Sequence, residues 1–374
     1  MHLIYIANIR FPTEKAHGKQ VREMCNALVK EAGITLVVPN RRTQGNALDF
    51  GLSSEIRVVR IPVIDTVSWG RFGFLFTAGM FAVGSGLYVL MHRHNTAVLT
   101  REYSCALMPA FFGVPTLWES HRGEYNWLVR LAIKAGVRLV VITEGLKNFY
   151  IKKGIAPQKI FVAPDGVELV RYQHLPTKEE ARHALGLPLD KTIALYNGHL
   201  YAWKGADTLA EAALLLPDSF LAIFMGGTEA DIATFKKTYG HDERISIVGN
   251  KNDEERPLYL RAADACVLPS SAKSELSALF TSPLKLFGYM AAGTPVVASD
   301  VPSSREVLSE ETAFFAAPDN PYSFAEALKQ VASDPAAARA KGEAARAQVA
   351  IYDWGHRAKK IVGLLQNKHD NIPA

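Results

Sequence analysis

Short apolar runs of buried-strand character alternate with helical segments along almost all of the 374 residues, and this alternation constrains the fold more than any single motif. Leu3–Ala7 leads to a helical stretch near Lys19–Ala32, then to strand runs at Thr35–Val38 and Ile56–Ile61. Ala97–Thr100, Thr116–Glu119, Leu139–Thr143 and Ile160–Ala163 follow, with helical segments between them. A second series starts at Thr192–Asn197 and continues through Phe220–Met225, Ile245–Val248, Ala265–Leu268 and Pro295–Ala298. Strands that are apolar on both faces and joined through helices require a parallel sheet covered on both sides. The chain is also longer than one core usually serves. The predicted architecture is therefore α/β, with two Rossmann-like doubly wound domains facing a cleft. The first covers 1–168, with a C-terminal helix of about 353–374 packing back on it; the second covers 169–352. Asp165–Pro188 reads as the linker. Ligands of such sheets sit beyond the carboxyl ends of the strands.

Composition is that of a soluble globular protein, 48% hydrophobic and 21% charged, without low-complexity tracts. A dispersed formal charge of +5 suits anionic ligands or an anionic surface, and is too weak to argue for a nucleic-acid partner. Cys25, Cys105 and Cys266 lack metal-site spacing and read as buried thiols of a reducing compartment, so a cytoplasmic address is expected. The opening residues MHLIYIANIR read as a first strand, too short for a signal-peptide core. Phe72–Met91 is long and uncharged enough to reach across a membrane. Its four glycines and the strand run that follows favour a buried or domain-packing helix. The alternative is peripheral contact with the inner face of the cytoplasmic membrane, with Trp69, Arg71 and Phe72 as anchors.

The chemistry-bearing residues cluster at predicted strand ends. In Thr281–Leu308, Ser282 and Pro283 are suited to start a helix, Ser as cap and Pro in the first turn. Leu284–Ala292 follows at helical spacing, and Gly293 ends it. Free amides at Leu284, Lys285 and Leu286 would hold a diphosphate; an ordinary helix–turn–strand unit reads equally well. Gly198 and His199 follow one strand and lead to Lys204, whose ammonium suits a phosphate or simply solvent. Gly226 and Gly227 are a ligand-approach turn or a plain tight turn. His121 ends the run Trp118-Glu119-Ser120 and could bind a sugar hydroxyl or be structural. His17 and Gly18 open a helix after the first strand, offering amides to an anion. No dinucleotide fingerprint, Walker loop, Asp-x-Asp pair or zinc spacing is present, so neither a metal nor a cofactor is expected.

Together these residues resemble glycosyltransferase family 4, retaining enzymes of the two-domain GT-B fold. The resemblance covers nearly the whole chain and rests on five segments in the family's order. They are FPTEKAHGKQ, VVITEGLKNFY, VAPDGVE, YNGHLYAWKGADTL and SPLKLFGYMAAGTPVVASDVPSSREVL. The Ser-Pro-Leu-Lys start marks the branch it looks closest to. The resemblance implies a nucleotide-diphosphate sugar, UDP- or GDP-linked, held mainly by the second domain, and a glycan or lipid-linked acceptor held by the first. It places Lys204 and the amides of Ser282 to Lys285 on the diphosphate. It puts His121 near the transferred sugar, and Gly18 in the N-terminal glycine loop. His199 stands where Arg is common. Gly288 stands where the family carries a ribose-binding Glu, and Phe280 where many members carry a second Glu.

The expected function is thus metal-independent, retaining transfer of a sugar to a hydroxyl, in cell-surface glycan or glycolipid synthesis. Its rival is a binding or regulatory protein on the same scaffold, impaired by Gly288 and Phe280. A nucleotide-sugar epimerase is a lesser alternative. Acceptor choice is expected in the loops 41–52 and 65–71.

Overall fold

The computed structural model describes every residue except 14, 42–46, 48–49 and 367–374. Most of the loop 41–52 and the last eight residues therefore lie outside the described residues. The chain divides into two compact units: Met1–Asp165 with Trp354–Ala374, and Gly166–Asp353.

Unit 1 is built on seven strands: β1 (His2–Ile6), β2 (Gly33–Asn40), β3 (Arg57–Pro62), β4 (Thr96–Thr100), β5 (Thr116–Ser120), β6 (Arg138–Val141) and β7 (Ile160–Val162). They pair in parallel in the order β3-β2-β1-β4-β5-β6-β7. Tyr5 is in register with Leu36 on one side and Leu99 on the other. The connections run through α1 (Ala16–Leu28), α2 (Arg71–Met91), α3 (Tyr103–Phe111), α4 (Trp127–Lys134) and α5 (Glu144–Lys152). The strand order reverses between β1 and β4, which makes the carboxyl ends there the natural ligand crevice.

Unit 2 begins with α6 (Lys178–Leu185) and then β8 (Thr192–Asn197), α7 (Ala206–Ala213), β9 (Phe220–Met225), α8 (Glu229–Tyr239), β10 (Ile245–Gly249), α9 (Glu255–Ala262) and β11 (Ala265–Leu268). It continues with α10 (Glu275–Ala278), α11 (Leu284–Ala292), β12 (Val296–Ser299), α12 (Pro302–Arg305), β13 (Phe314–Ala316), α13 (Pro321–Ser333) and α14 (Pro335–Gln348). The six strands are parallel in the order β10-β9-β8-β11-β12-β13. Successive residues of β8 serve opposite cores: Ile193 and Leu195 pack on one face, Ala194 and Tyr196 on the other. This is the two-sided burial that the apolar runs demanded. The chain then returns to unit 1 in α15 (Trp354–Gln366), which packs on α1.

One expectation needs correction. Residues 165–188 are not a linker. Tyr172 sits in the core of unit 2, and Arg182 of α6 pairs with Asp264 at 2.6 Å and donates to the Ala262 carbonyl. Of the charged residues of α6, Arg182 is buried and docks, while Glu179, Glu180 and His183 stay exposed. The α2 helix packs on its own unit, against α3 and β3, without being buried. Gly73, Thr77, Phe81, Ser85, Gly86 and Val89 face the protein, while most of its large apolar side chains are exposed.

Candidate active site

In unit 1 the site grows from the carboxyl end of β5. Glu119 is fully buried in that strand, a position a carboxylate holds only when paired. Its Oε1 accepts from Gln20 Nε2 at 2.8 Å and from His121 Nε2 at 2.5 Å, with Arg101 3.8 Å away. Arg357, carried in by α15, lies 3.1 Å from Oε2 as an ion pair and also donates to the Pro164 carbonyl. Burial alone would raise the Glu119 pKa; Arg357, His121 and Arg101 outweigh it and hold the carboxyl well below the usual range.

An ionised Glu119 fixes the tautomer of His121. Nε2 carries the proton and donates, which leaves the Nδ1 lone pair as the free acceptor. Burial, followed by Arg101, lowers the His121 pKa despite Glu119 and Asp165, so the ring is neutral near pH 7. His17 is a neighbour: burial, then Arg101, Lys15, Arg122 and His121, pull its pKa down to about 4. Gly18 leaves no room for a side chain, since a Cβ would lie 2.2 Å from the Thr13 carbonyl oxygen. The Gly18 N–H donates to the Lys15 carbonyl at 2.8 Å, so the expectation of a free amide there is corrected: the turn itself takes it.

Glu119, His121 and buried Asp165 place ligand atoms within 4.8 Å of one another. Their charge is already matched by the Arg357 and Arg101 guanidiniums, which a divalent cation would have to sit against. The cluster is suited to orienting an imidazole rather than holding a metal.

In unit 2 the site lies at the carboxyl ends of β8 and β9. Gly198 follows β8 and its N–H donates to the Met225 carbonyl; Gly226 follows β9 and its N–H donates to the Gly249 carbonyl. A Cβ on Gly226 would meet the Gly198 carbonyl at 2.5 Å, so the two strand-end turns pack backbone to backbone. Gly227, also at positive φ, completes the second turn. His199 stacks on Tyr201 at 5.0 Å and lies 4.0 Å from Asp231, an anionic neighbour for a ring standing where Arg is common. Gly205 caps α7 at φ 74°, and a Cβ there would overlap the Pro269 carbonyl oxygen at 1.7 Å. It lets Lys204 come off the turn immediately before α7.

Lys204 and Lys285 form an unusual pair. Lys204 lies 5.2 Å from the Trp203 ring centre, and Lys285 only 4.1 Å from that of Tyr196. Burial lowers the pKa of Lys204, and burial together with the Lys204 charge lowers that of Lys285 well below the ordinary lysine value. Among the described residues no carboxylate figures among the charges acting on either ammonium. Two partly buried ammonium groups, each set against aromatic rings and the charge of one felt by the other, form a site that an anion stabilises.

Lys285 is also in the first turn of α11, where the helix dipole adds positive potential. The helix starts differently from expectation. Its cap position falls on Pro283, which has no side-chain acceptor, rather than on Ser282, which is buried. The Leu286 N–H donates to the Pro283 carbonyl at 2.8 Å, so the first-turn donors reduce to Leu284 and Lys285. Gly288, one turn on, is buried. A Cβ there would come within 2.9 Å of the Tyr172 hydroxyl and 3.6 Å of Leu260. Tyr172 thus occupies the space that a side chain at 288 would use, and burial pushes its pKa up to about 12.

Sequence reasoning assigned no role to Glu119, Arg357, Arg101, Gln20 or Tyr172. A signal existed for Glu119: a carboxylate inside an apolar strand run requires partners somewhere. Arg357 had none, because its partner is 238 positions away (357 − 119) in a different part of the chain.

Residues 177–348 match the family model described as Glycosyl transferases group 1. A Bacillus subtilis (strain 168) protein, TuaC, named as a teichuronic acid biosynthesis glycosyltransferase, is 32% identical over 205 residues, 54% of this chain and 49% of its own. D-inositol 3-phosphate glycosyltransferase of Kineococcus radiotolerans is 26% identical over 251 residues, 61% of this chain and 56% of its own. The chain thus spans about half the length of the curated relatives it matches. Among solved structures, Anabaena Alr3699/HepE in complex with UDP superposes with a TM-score of 0.76 at 16% identity, over 98% of this chain and 100% of that one. Sucrose-phosphate synthase of Thermosynechococcus elongatus gives 0.77 at 20% identity, over 98% and 99%. The fold is that of these GT-B structures, and residues 177–348 are similar to the glycosyltransferase group 1 domain.

Proposed function

We propose that the chain is a retaining glycosyltransferase that moves a sugar from a nucleotide-diphosphate sugar to a hydroxyl of a glycan or lipid-linked acceptor. The observation that carries this reading is the placement of Lys204 and Lys285: two partly buried ammonium groups with no carboxylate partner among the described residues, set against aromatic rings at the turn before α7 and in the first turn of α11, ends that suit a diphosphate. In the proposed reaction the glycosidic C–O bond to the diphosphate breaks, and the sugar carbon bonds to the acceptor oxygen. The acceptor proton passes to the departing phosphate. Negative charge grows on the diphosphate as that bond breaks, and the two lysines with the Leu284 and Lys285 amides stabilise it. One such preorganised donor is worth about 10²–10³ in rate.

His121 acts as a positioning group on unit 1. Its lowered pKa makes it a weak proton acceptor, while its fixed Nδ1 lone pair can hold a sugar hydroxyl in place. UDP is favoured as the donor nucleotide because HepE was solved with UDP and with UDP-glucose. The relative named for teichuronic acid biosynthesis supports a cell-surface glycan product.

The test is turnover of UDP- and GDP-sugars with the product anomer read by NMR. The expected result is a product that keeps the donor's anomeric configuration, and a rate that falls at least ~100-fold in Lys285→Met. An inverted product, or undiminished turnover in that variant, contradicts the reading.

A further inference from the structure

The α2 helix of unit 1 is inside out for a surface helix in water. Its protein-facing stripe is made of small and hydroxyl residues: Gly73, Thr77, Ser85 and Gly86, with Phe81 and Val89. The close packing depends on that smallness, since a Cβ at Gly84 would meet Ile61 at 2.5 Å and one at Gly86 would meet Met108 at 2.5 Å. Thr77 and Thr66 tie the helix to its preceding loop through a 3.0 Å hydroxyl contact. The large apolar groups point the other way. Phe72 is 85% exposed, Met91 73% and Trp69 77%; Phe74, Leu75, Phe76, Val83 and Leu87 are each about half exposed. A soluble surface helix has the opposite polarity.

The exposed apolar surface extends beyond α2. α2 packs on α3, and α3 on α4. Those helices add exposed Phe111 and Phe112 from the end of α3, and Trp127 from the start of α4. The charge along α2 itself is all positive, while the flanks carry exposed Asp65, paired with Arg10, and exposed Glu124 near Trp127. No Asp or Glu falls between Thr66 and Arg101, Arg71 and Arg93 bracket α2 in exposed positions, and Arg130 and Lys134 are exposed on α4. Along α2, aromatic side chains among aliphatic ones, bracketed by arginines with no acid in the helix, match the headgroup level of a bilayer carrying anionic lipid.

We propose that the outer face of α2, with the exposed ends of α3 and α4, is a docking surface for an anionic lipid bilayer. The helix would lie in the interface with Phe72, Leu75 and Phe76 among the acyl chains and Arg71 and Arg93 at the phosphates. Only the outer side of α2 enters the lipid, because its inner side is held by Ile61 and Met108. The docking is peripheral and independent of the transfer chemistry.

The test is co-sedimentation of the full chain with vesicles of phosphatidylcholine alone and of phosphatidylcholine mixed with phosphatidylglycerol. Nucleotide binding, measured on the same samples, reports separately on unit 2. The chain is expected to sediment with the anionic vesicles, less so as salt is raised, and to bind the neutral ones more weakly. Removing two charges, Arg71→Ala with Arg93→Ala, is expected to weaken anionic-vesicle binding by about 30-fold. Phe72→Ser with Phe76→Ser should weaken it at least ~10-fold on both vesicle types. All four side chains are exposed, and unchanged nucleotide binding and circular dichroism would show the variants folded. If the serine pair fails that control, the arginine pair decides. The proposal is overturned if the wild-type chain does not sediment with anionic vesicles. It is equally overturned if the chain self-associates without lipid and the serine pair abolishes that, which would make the face an interface between copies. Loss of nucleotide binding alone would count against the transferase reading and leave this one standing.

Discussion

At position 288 the missing side chain and the Tyr172 ring are two halves of one packing solution. A Glu placed there would not simply restore a ribose contact, because its Cβ would come within 2.9 Å of the Tyr172 hydroxyl. The helix nevertheless loses about 1 kcal/mol by having Gly rather than Ala inside it. Removing the hydroxyl leaves the ring carbon behind it 3.8 Å away, an ordinary contact. Gly288→Ala is therefore expected to be neutral or destabilising in the native chain, and to stabilise by about 1 kcal/mol in a Tyr172→Phe background. Denaturant unfolding of the four proteins of that cycle checks this; equal effects in both backgrounds would contradict it. Glu119 gives a second prediction at this scale. Its pKa is depressed in the folded chain, so its stabilisation is present above the ordinary carboxylate pKa and is lost as pH falls through the lower folded value. Glu119→Gln should cost about 3–5 kcal/mol by taking the Glu119 ion pair from the buried Arg357, and should flatten the acid limb of the pH–stability profile.

For the elements, the Lys204–Lys285 pair makes binding depend on protonation. Both pKa values are lowered in the free protein, and a bound diphosphate raises them again. Binding should therefore take up protons and weaken as pH rises through the lowered lysine range. Calorimetry in two buffers of different ionisation enthalpy reads this directly, and no net proton uptake would contradict it. The elements around the pair were largely legible. The span Leu284–Ala292, predicted from helical spacing and its Gly293 stop, is the helix observed, and the apolar run at Thr192–Asn197 is the strand observed. What stayed hidden was three-dimensional. Ser282 precedes a proline that takes the cap position itself, so a local capping rule misplaced the first turn. The polarity of α2 was hidden too, because a near-continuous apolar segment does not reveal which face its small residues occupy. The charged residues of α6 suggested a linker, whereas Arg182 is a buried docking group.

Across the whole molecule, unit 1 is completed by the last helix of the chain. Arg357 of α15 pairs with Glu119 and donates to the carbonyl of Pro164, so the strand-end cluster is assembled only after unit 2 has been traversed. A chain ending at residue 353 is expected to lose the cooperative unfolding of unit 1 while unit 2 keeps its own transition, as read by calorimetry. Two intact transitions would contradict this. The central claim is that the paired lysines of unit 2 are a nucleotide-diphosphate site. The measurement that tests it most directly is isothermal titration of the chain with UDP and with uridine, repeated on Lys285→Met. The account predicts that UDP binds the native chain far more tightly than uridine and that the substitution removes most of that difference. Equal affinities for UDP and uridine, or an undiminished preference in the variant, would contradict it.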